Sequence, residues 1–136
     1  MRVKLDQGAY EPTRAHSTDA GLDIRAKDDG IVHAKKSKVF HTGVHVELPK
    51  RHCGLLVSKS GLNVKGDLTS TGLIDEGYSG EILVKLYNHG DQDYHVHAGD
   101  KISQLVVLPC QYPEVEIVTD IESGDRSDSG FGSSGR

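Results

Sequence analysis

Four short stretches of this chain set acidic, cationic, amide or hydroxyl side chains beside glycine or at strand ends, a combination suited to holding phosphates and moving a proton. Asp23 lies in Ala20-Gly21-Leu22-Asp23-Ile24-Arg25-Ala26, between two apolar neighbours. Such an Asp either caps a turn or faces a polar site, and Gly21 suits a tight turn. Val57-Ser58-Lys59-Ser60-Gly61-Leu62 has the pattern of a strand running into a Ser-Gly turn and a helix start. Free N–H groups there, with a hydroxyl and a lysine, could cradle a phosphate; a plain helix cap by Ser58 or Ser60 accounts for the same residues. It is not a P-loop, because the spaced glycines and the terminal Gly-Lys-Ser/Thr are absent. Asp75 lies in Thr71-Gly72-Leu73-Ile74-Asp75-Glu76-Gly77-Tyr78-Ser79-Gly80-Glu81-Ile82, a hairpin-like stretch with Gly77 and Gly80 at positions suited to positive φ. At a strand's end it could face a cleft and act as a general base, or simply begin the turn. Gln104 interrupts the apolar run Ile102–Leu108, and a buried amide needs a partner. A phosphate oxygen is one candidate and a backbone carbonyl of a neighbouring strand is the usual one.

Other chemistries find less support. His95-Val96-His97 puts two imidazoles on one strand face, but no Glu and distal His complete a metal pattern, and surface histidines are the simpler reading. Cys53 and Cys110 are too few for a disulfide framework and lack zinc-ligand spacing, so two small, buried or half-buried thiols are expected. Neither a Gly-x-Ser-x-Gly elbow nor a Ser-His-Asp order is present.

The elements that must position these groups are short strands. Val44, Val46 and Leu48 alternate with His45 and Glu47; Ile82, Val84 and Leu86 share one face of a strand, and Leu83, Lys85 and Tyr87 the other. Leu55–Val57, Ile102–Leu108 and Val115–Val118 add further strands, and the one helix expected is brief, around Leu62 to Lys65. Turn formers separate the runs at Asp28-Asp29-Gly30, Thr42-Gly43, Glu76-Gly77, Asn88-His89-Gly90-Asp91 and Ala98-Gly99-Asp100. No long 3.6-residue stripe occurs, which predicts an all-β sandwich or barrel.

A chain of 136 residues suits one domain, and 35% hydrophobic content with 16 glycines suits short strands, with subunit association supplying further burial. A net charge of −4 leaves no basic field for nucleic acid, so any polyphosphate must be held locally. Neither a signal region nor a membrane-length apolar run is visible, and a cytoplasmic protein is expected. After Ile121 the composition turns small and polar, dividing the chain into a β domain over 1–121 and a flexible arm over 122–136. Within that arm a lone Phe131 between glycines, with Arg126 upstream, could close over a ligand by stacking and phosphate contact.

Taken in order, these stretches resemble the five signatures of the homotrimeric deoxyuridine triphosphate nucleotidohydrolase (dUTPase) family. Ala20–Ala26 is similar to the first, Lys59-Ser60-Gly61-Leu62 to the second, Gly72–Ile82 to the third and Lys101–Val106 to the fourth. Arg126 with Ser129–Gly135 is similar to the fifth. The resemblance implies a jelly-roll-like β-barrel assembled as a trimer with shared sites. It implies Mg²⁺-dependent hydrolysis of dUTP to dUMP and pyrophosphate, which limits uracil incorporation into DNA and supplies dUMP for dTTP synthesis. Asp75 would activate the water that attacks the α-phosphorus in line, and Asp23 would act from behind, ordering metal-bound water and the Asp75 region. Backbone groups around Gly72 and Leu73 would read uracil, and Tyr78 would pack under the sugar and exclude a 2′-hydroxyl. Lys59, Ser60, Gly61 and Gln104 would hold phosphates. Arg126 would reach the γ-phosphate, and Phe131 would stack on the base beside Gly132 and Ser133. Mg²⁺ would sit on the phosphates and water, with no side-chain ligand.

The chain departs from the family pattern in several places. Lys59 and Lys101 stand where the family usually has Arg, and an ammonium lacks the bidentate fork. Thr69 occupies the offset, six residues before Asp75, where an Asn is frequent; its hydroxyl would bind substrate with one hydrogen bond in place of an amide. Ser129-Gly130 stands for the usual Gly-Gly before the Phe. Two alternatives share the scaffold: a dCTP deaminase-like enzyme, and a regulatory protein-binding module. Neither membrane nor direct nucleic-acid binding is expected.

Overall fold

Period-two burial builds the core. Ile82, Val84 and Leu86 are at most 1% exposed on β8 (Glu81–Asn88), whereas Leu83 and Tyr87 on its other face are exposed, as the alternation predicts. The computed structural model describes residues 1–121. Among these, ten strands and one short helix form two four-stranded sheets and a two-stranded ribbon. One sheet runs β1 (Arg2–Leu5), β4 (Ser37–Glu47), β8, β6 (Leu68–Thr69); the other runs β2 (Gly21–Arg25), β10 (Lys101–Pro109), β5 (His52–Val57), β7 (Thr71–Ile74). The ribbon pairs β3 (Gly30–Val32) with β9 (Tyr94–Val96). Every strand pair is antiparallel, and Leu22, Ile24, Phe40, Val44, Leu56, Ile102 and Leu105 fill the space between the sheets. The fold is the all-β, jelly-roll-like one expected.

Several local expectations are corrected. Thr42-Gly43 does not separate two strands; it is a bulge inside the single strand β4, where pairing with β8 jumps from His41↔Leu83 to His45↔Glu81. Gly43 takes φ +66°, and a Cβ there would come 2.7 Å from that of Ala9, so glycine is required. Gly77 and Gly80 do not occupy positive-φ positions; among the described residues the glycines that do are Gly8, Gly43 and Gly99. The stretch from Thr71 to Ile82 is not a hairpin, because β7 pairs with β5 and β8 with β4 and β6; residues 75–80 cross between sheets. Gly21 opens no turn but lies buried in β2, where a Cβ would meet Gln104 Cβ at 3.0 Å.

The helix α1 (Ser60–Gly66) begins at Lys59 with no side-chain cap. Ser58 is drawn elsewhere: its hydroxyl donates to the Ser70 carbonyl and accepts from the Ser70 N–H. Val115–Val118 forms no strand, and Val115 and Ile117 are 88% and 95% exposed. Its β propensity is genuine, but one chain offers it no strand to pair with.

Candidate active site

Most of the predicted residues that the structure describes fall in two clusters. The first lies where β2 and β10 pair, with Gln104 opposite Asp23. Asp23 is 3% exposed, and the open choice between turn cap and polar site is settled for the polar site. Lys101 Nζ lies 2.6 Å from one carboxylate oxygen. Lys59 Nζ and Gln104 Nε2 lie 3.5 and 3.3 Å from the other. Burial is the largest single influence on this carboxyl and opposes its ionisation. The Lys101 hydrogen bond and the two ammonium charges together outweigh it, so the pKa falls below the usual carboxylate range. Gln104 thus finds a carboxylate partner, neither of the two candidates its sequence context suggested.

Lys59 reaches this point because three hydroxyls pin the start of the helix. Ser70 Oγ and Ser103 Oγ lie 2.9 Å apart in the core, Ser103 donates to the Val57 carbonyl at 3.0 Å, and Ser58 bridges to Ser70. Ser60 and Gly61 then open α1 at the surface, where a Cβ on Gly61 would meet nothing.

The second cluster surrounds Asp75, which follows β7 directly. A cleft of about 230 Å³ is lined by Leu56, Gly72, Leu73, Ile74, Asp75, Tyr78, Glu81 and Leu83. Four sequence-predicted residues, Gly72, Leu73, Asp75 and Tyr78, meet there. The Tyr78 N–H donates to the Asp75 carbonyl and its hydroxyl to the Glu81 carbonyl, so the ring folds back over Gly80. Behind Asp75 a second cleft, about 540 Å³, is lined by Glu76, Tyr112 and the half-buried Cys53 and Cys110. Glu76 accepts from the Tyr112 hydroxyl and the Arg51 N–H, which lower its pKa; the same carboxylate, with burial, pushes the Tyr112 phenol up to about 12.

Thr69 joins neither cluster. Its hydroxyl lies 2.8 Å from His89 Nε2 on the sheet that holds β6 and β8. Arg126, Phe131, Gly132 and Ser133 lie outside the described residues, as does the 122–136 arm. His95 and His97 are both exposed, and among the described residues no group of three or more His, Cys, Asp or Glu converges as a metal site.

Two anchoring residues were not picked out from sequence. Lys101 appeared there only as a departure from the family pattern. Glu81 accepts from the Thr42 and Gly43 N–H groups at 3.1 and 2.8 Å, the donors that the β4 bulge frees from the ladder. A Lys opening a strand that contains a buried Gln, and a Glu closing a Gly-rich connector, were the available signals.

Comparison with known proteins bears on this geometry. The dUTPase family model matches residues 8–135. A deoxyuridine 5′-triphosphate nucleotidohydrolase of Clostridium acetobutylicum is 40% identical, covering 97% of this chain and 93% of its own length. Its counterpart in Rabbitpox virus is 38% identical over 98% of this chain and 90% of its own. Among solved structures, the dUTPase of Staphylococcus bacteriophage 80alpha with dUpNHpp superposes with a TM-score of 0.92 at 32% identity, covering 99% of this chain and 98% of that one. A variant of the phage phi11 enzyme of S. aureus, with a coordinated structural Mg(II) ion, has a TM-score of 0.82 at 30% identity, covering 89% and 97%. With a match to both sequence and fold over nearly its whole length, the chain belongs to the dUTPase family.

Proposed function

We propose that this chain hydrolyses dUTP to dUMP and pyrophosphate in the cytoplasm, limiting uracil incorporation into DNA and supplying dUMP for dTTP synthesis. The cleft joining Gly72, Leu73, Asp75 and Tyr78 carries the reading. β7 is an edge strand, and its side turned away from β5 offers backbone donors and acceptors. Uracil presents a donor between two acceptors, a pattern that such an edge can match. The folded-back Tyr78 ring would pack under deoxyribose and leave no room for a 2′-hydroxyl. Asp75 would take a proton from a water as that oxygen bonds to the α-phosphorus; the bond to the bridging oxygen breaks and pyrophosphate leaves with its electron pair.

Lys59, Ser60, Gly61 and Gln104 would hold phosphate oxygens. Asp23, with both oxygens engaged by two lysines and an amide, would keep those groups in place. The donor set fits Mg²⁺ carried on substrate phosphates and water, because the buried carboxylate is already occupied and no cage converges among the described residues. Bound there, Mg²⁺ would offset charge growing on the leaving group. Arg126 would contact the γ-phosphate, and Phe131, with Gly132 and Ser133, would cover the base.

The distance between the clusters supports a trimer with shared sites. Asp23, Gln104, Val57 and Thr71 lie in one row across four strands, and Asp75 lies four residues beyond Thr71. Strand spacing and rise put the two aspartates on the order of 20 Å apart. A base and a cradle acting on one phosphorus must lie far closer, so each site would take them from different subunits. The exposed Val115, Ile117 and Ile121 would find cover in the same assembly.

Pyrophosphate release from dUTP, UTP, dTTP and dCTP, with and without Mg²⁺, tests the proposal. Turnover confined to dUTP and dependent on Mg²⁺ is expected. Ammonia release from dCTP would make the protein a deaminase, and binding without turnover would make it a binding module. Among the described residues no helix is long and apolar enough to cross a membrane.

A further inference from the structure

His45 follows the bulge of β4 and lies opposite Glu81. Its imidazole, 18% exposed, sits between two acceptors: Nδ1 is 3.0 Å from the Ser79 backbone carbonyl and Nε2 is 3.2 Å from the Asp6 carboxylate. A carbonyl and an ionised carboxylate can only accept, while a neutral imidazole carries one N–H. Only the imidazolium can donate to both.

The surroundings agree with a charged ring. The Ser79 hydrogen bond first, then Asp6, raise the His45 pKa against burial and the Lys4 charge, and Asp6 is lowered chiefly by its bond to His45. The charged groups nearby are Arg2 and Lys4 on β1, Glu47 on β4, Lys27 near Asp6, and Glu81 on β8. Glu81 is directed away from His45, onto His41, Thr42 and Gly43.

Ser79 lies in the 75–80 connector, next to Tyr78. We infer that His45, as an imidazolium, is a positioning residue that fixes the Ser79 carbonyl and thereby the placement of the adjacent Tyr78 on the substrate. The inference rests on the proposed roles of Asp75 and Tyr78. It adds a residue outside the five signature segments, one whose charge state sets how firmly the connector is held. As pH rises through the raised pKa of His45, one of the two hydrogen bonds loses its proton and the connector loosens. Weaker substrate binding follows, with the chemical step less affected.

The test compares the full-length wild type with His45→Gln and Asp6→Asn. KM and kcat for dUTP are measured from pH 5.5 to 9, and the His45 ring is titrated by NMR, its signal assigned by its loss in His45→Gln. In the wild type KM should rise about three- to tenfold as pH passes the NMR-measured pKa, with kcat nearly flat. That pKa should exceed the ordinary value of about 6.5. His45→Gln should show a KM without this step, and Asp6→Asn should move the step to lower pH. A KM step of the same size in His45→Gln, or a ring that is neutral at pH 6.5, overturns the inference. Failure of the underlying reading looks different: Asp75→Asn would stay active while the Tyr78 ring signals still followed the His45 titration.

Discussion

Asp23 and Asp75, the two aspartates of the proposed site, lie in surroundings that suit opposite tasks. Asp23 is buried in a strand and both its oxygens are taken, by Lys101 on one side and by Lys59 and Gln104 on the other. Asp75 follows the end of an edge strand and opens on two clefts. A carboxylate held ionised by two ammonium groups is a weak base, but it is a firm anchor for the cations beside it. A carboxylate open to a cleft can reach a water and accept its proton. On the proposed reading, the same residue type is divided between holding and reacting by its partners.

The sharpest way to break this contrast is to remove each carboxylate charge in turn. Asp75→Asn should lower kcat by about 10²- to 10⁴-fold while dUTP binding, measured by calorimetry, stays within a few-fold of wild type. Turnover surviving that change would take the base away from Asp75. The proposed sharing of each site between subunits adds a second test of nearly the same size. Asp75→Asn and a Lys59→Ala/Gln104→Ala variant should each be nearly inactive alone. Dissociated and reassembled at equal amounts, they should recover about a quarter of wild-type activity, because random trimers pair an intact connector with an intact cradle in that fraction of sites. No recovery would mean that both halves of a site come from one chain.

Asp23→Asn should act more weakly and differently. It leaves two lysines without their anion and should cost about 1–3 kcal/mol of stability, with KM rising more than kcat falls. The pH dependence has a definite sign. Because the folded-state pKa of Asp23 is depressed, its contribution is present above the ordinary carboxylate range and is lost as pH falls through the folded value. Urea midpoints of the wild type should therefore drop more steeply than those of Asp23→Asn between pH 5 and 3. Parallel curves would show that the lysines do not depend on Asp23.

How much of this could be read from sequence follows the same division. The strand faces of Ile82, Val84 and Leu86 were legible because burial follows a period of two, and the chemistry-bearing stretches were legible because their residue types cluster locally. What escaped depends on register between distant segments. Asp23 meets Lys101 only because β2 pairs with β10, and Glu81 meets the Thr42 and Gly43 N–H groups only because β4 bulges opposite it. Thr42-Gly43 carries the composition of a turn, and nothing local marks it as a bulge. Ser58 and Ser60 offered two plausible helix caps, and a tertiary contact with Ser70 claimed the first. Val115–Val118 has strand composition without a partner in its own chain, so its sequence describes an element that a single copy does not form.

Thr69 sharpens the comparison from the weakest side. The family offset proposes it as a substrate contact, whereas its hydroxyl is already bonded to His89 and it lines neither cleft beside Asp75. An exposed hydrogen bond of this kind contributes about 0.5–1 kcal/mol at most. If the hydroxyl serves only that bond, Thr69→Ala should change kcat/KM for dUTP by less than about threefold and leave the preference over dTTP intact. A tenfold rise in KM confined to the uracil nucleotide would instead place Thr69 in the base pocket. The connector half of the site would then extend from the edge of β7 onto the opposite sheet. His89→Ala separates the two outcomes, since it should mimic Thr69→Ala if the bond is only structural and should improve dUTP binding if His89 competes with the base for the Thr69 hydroxyl.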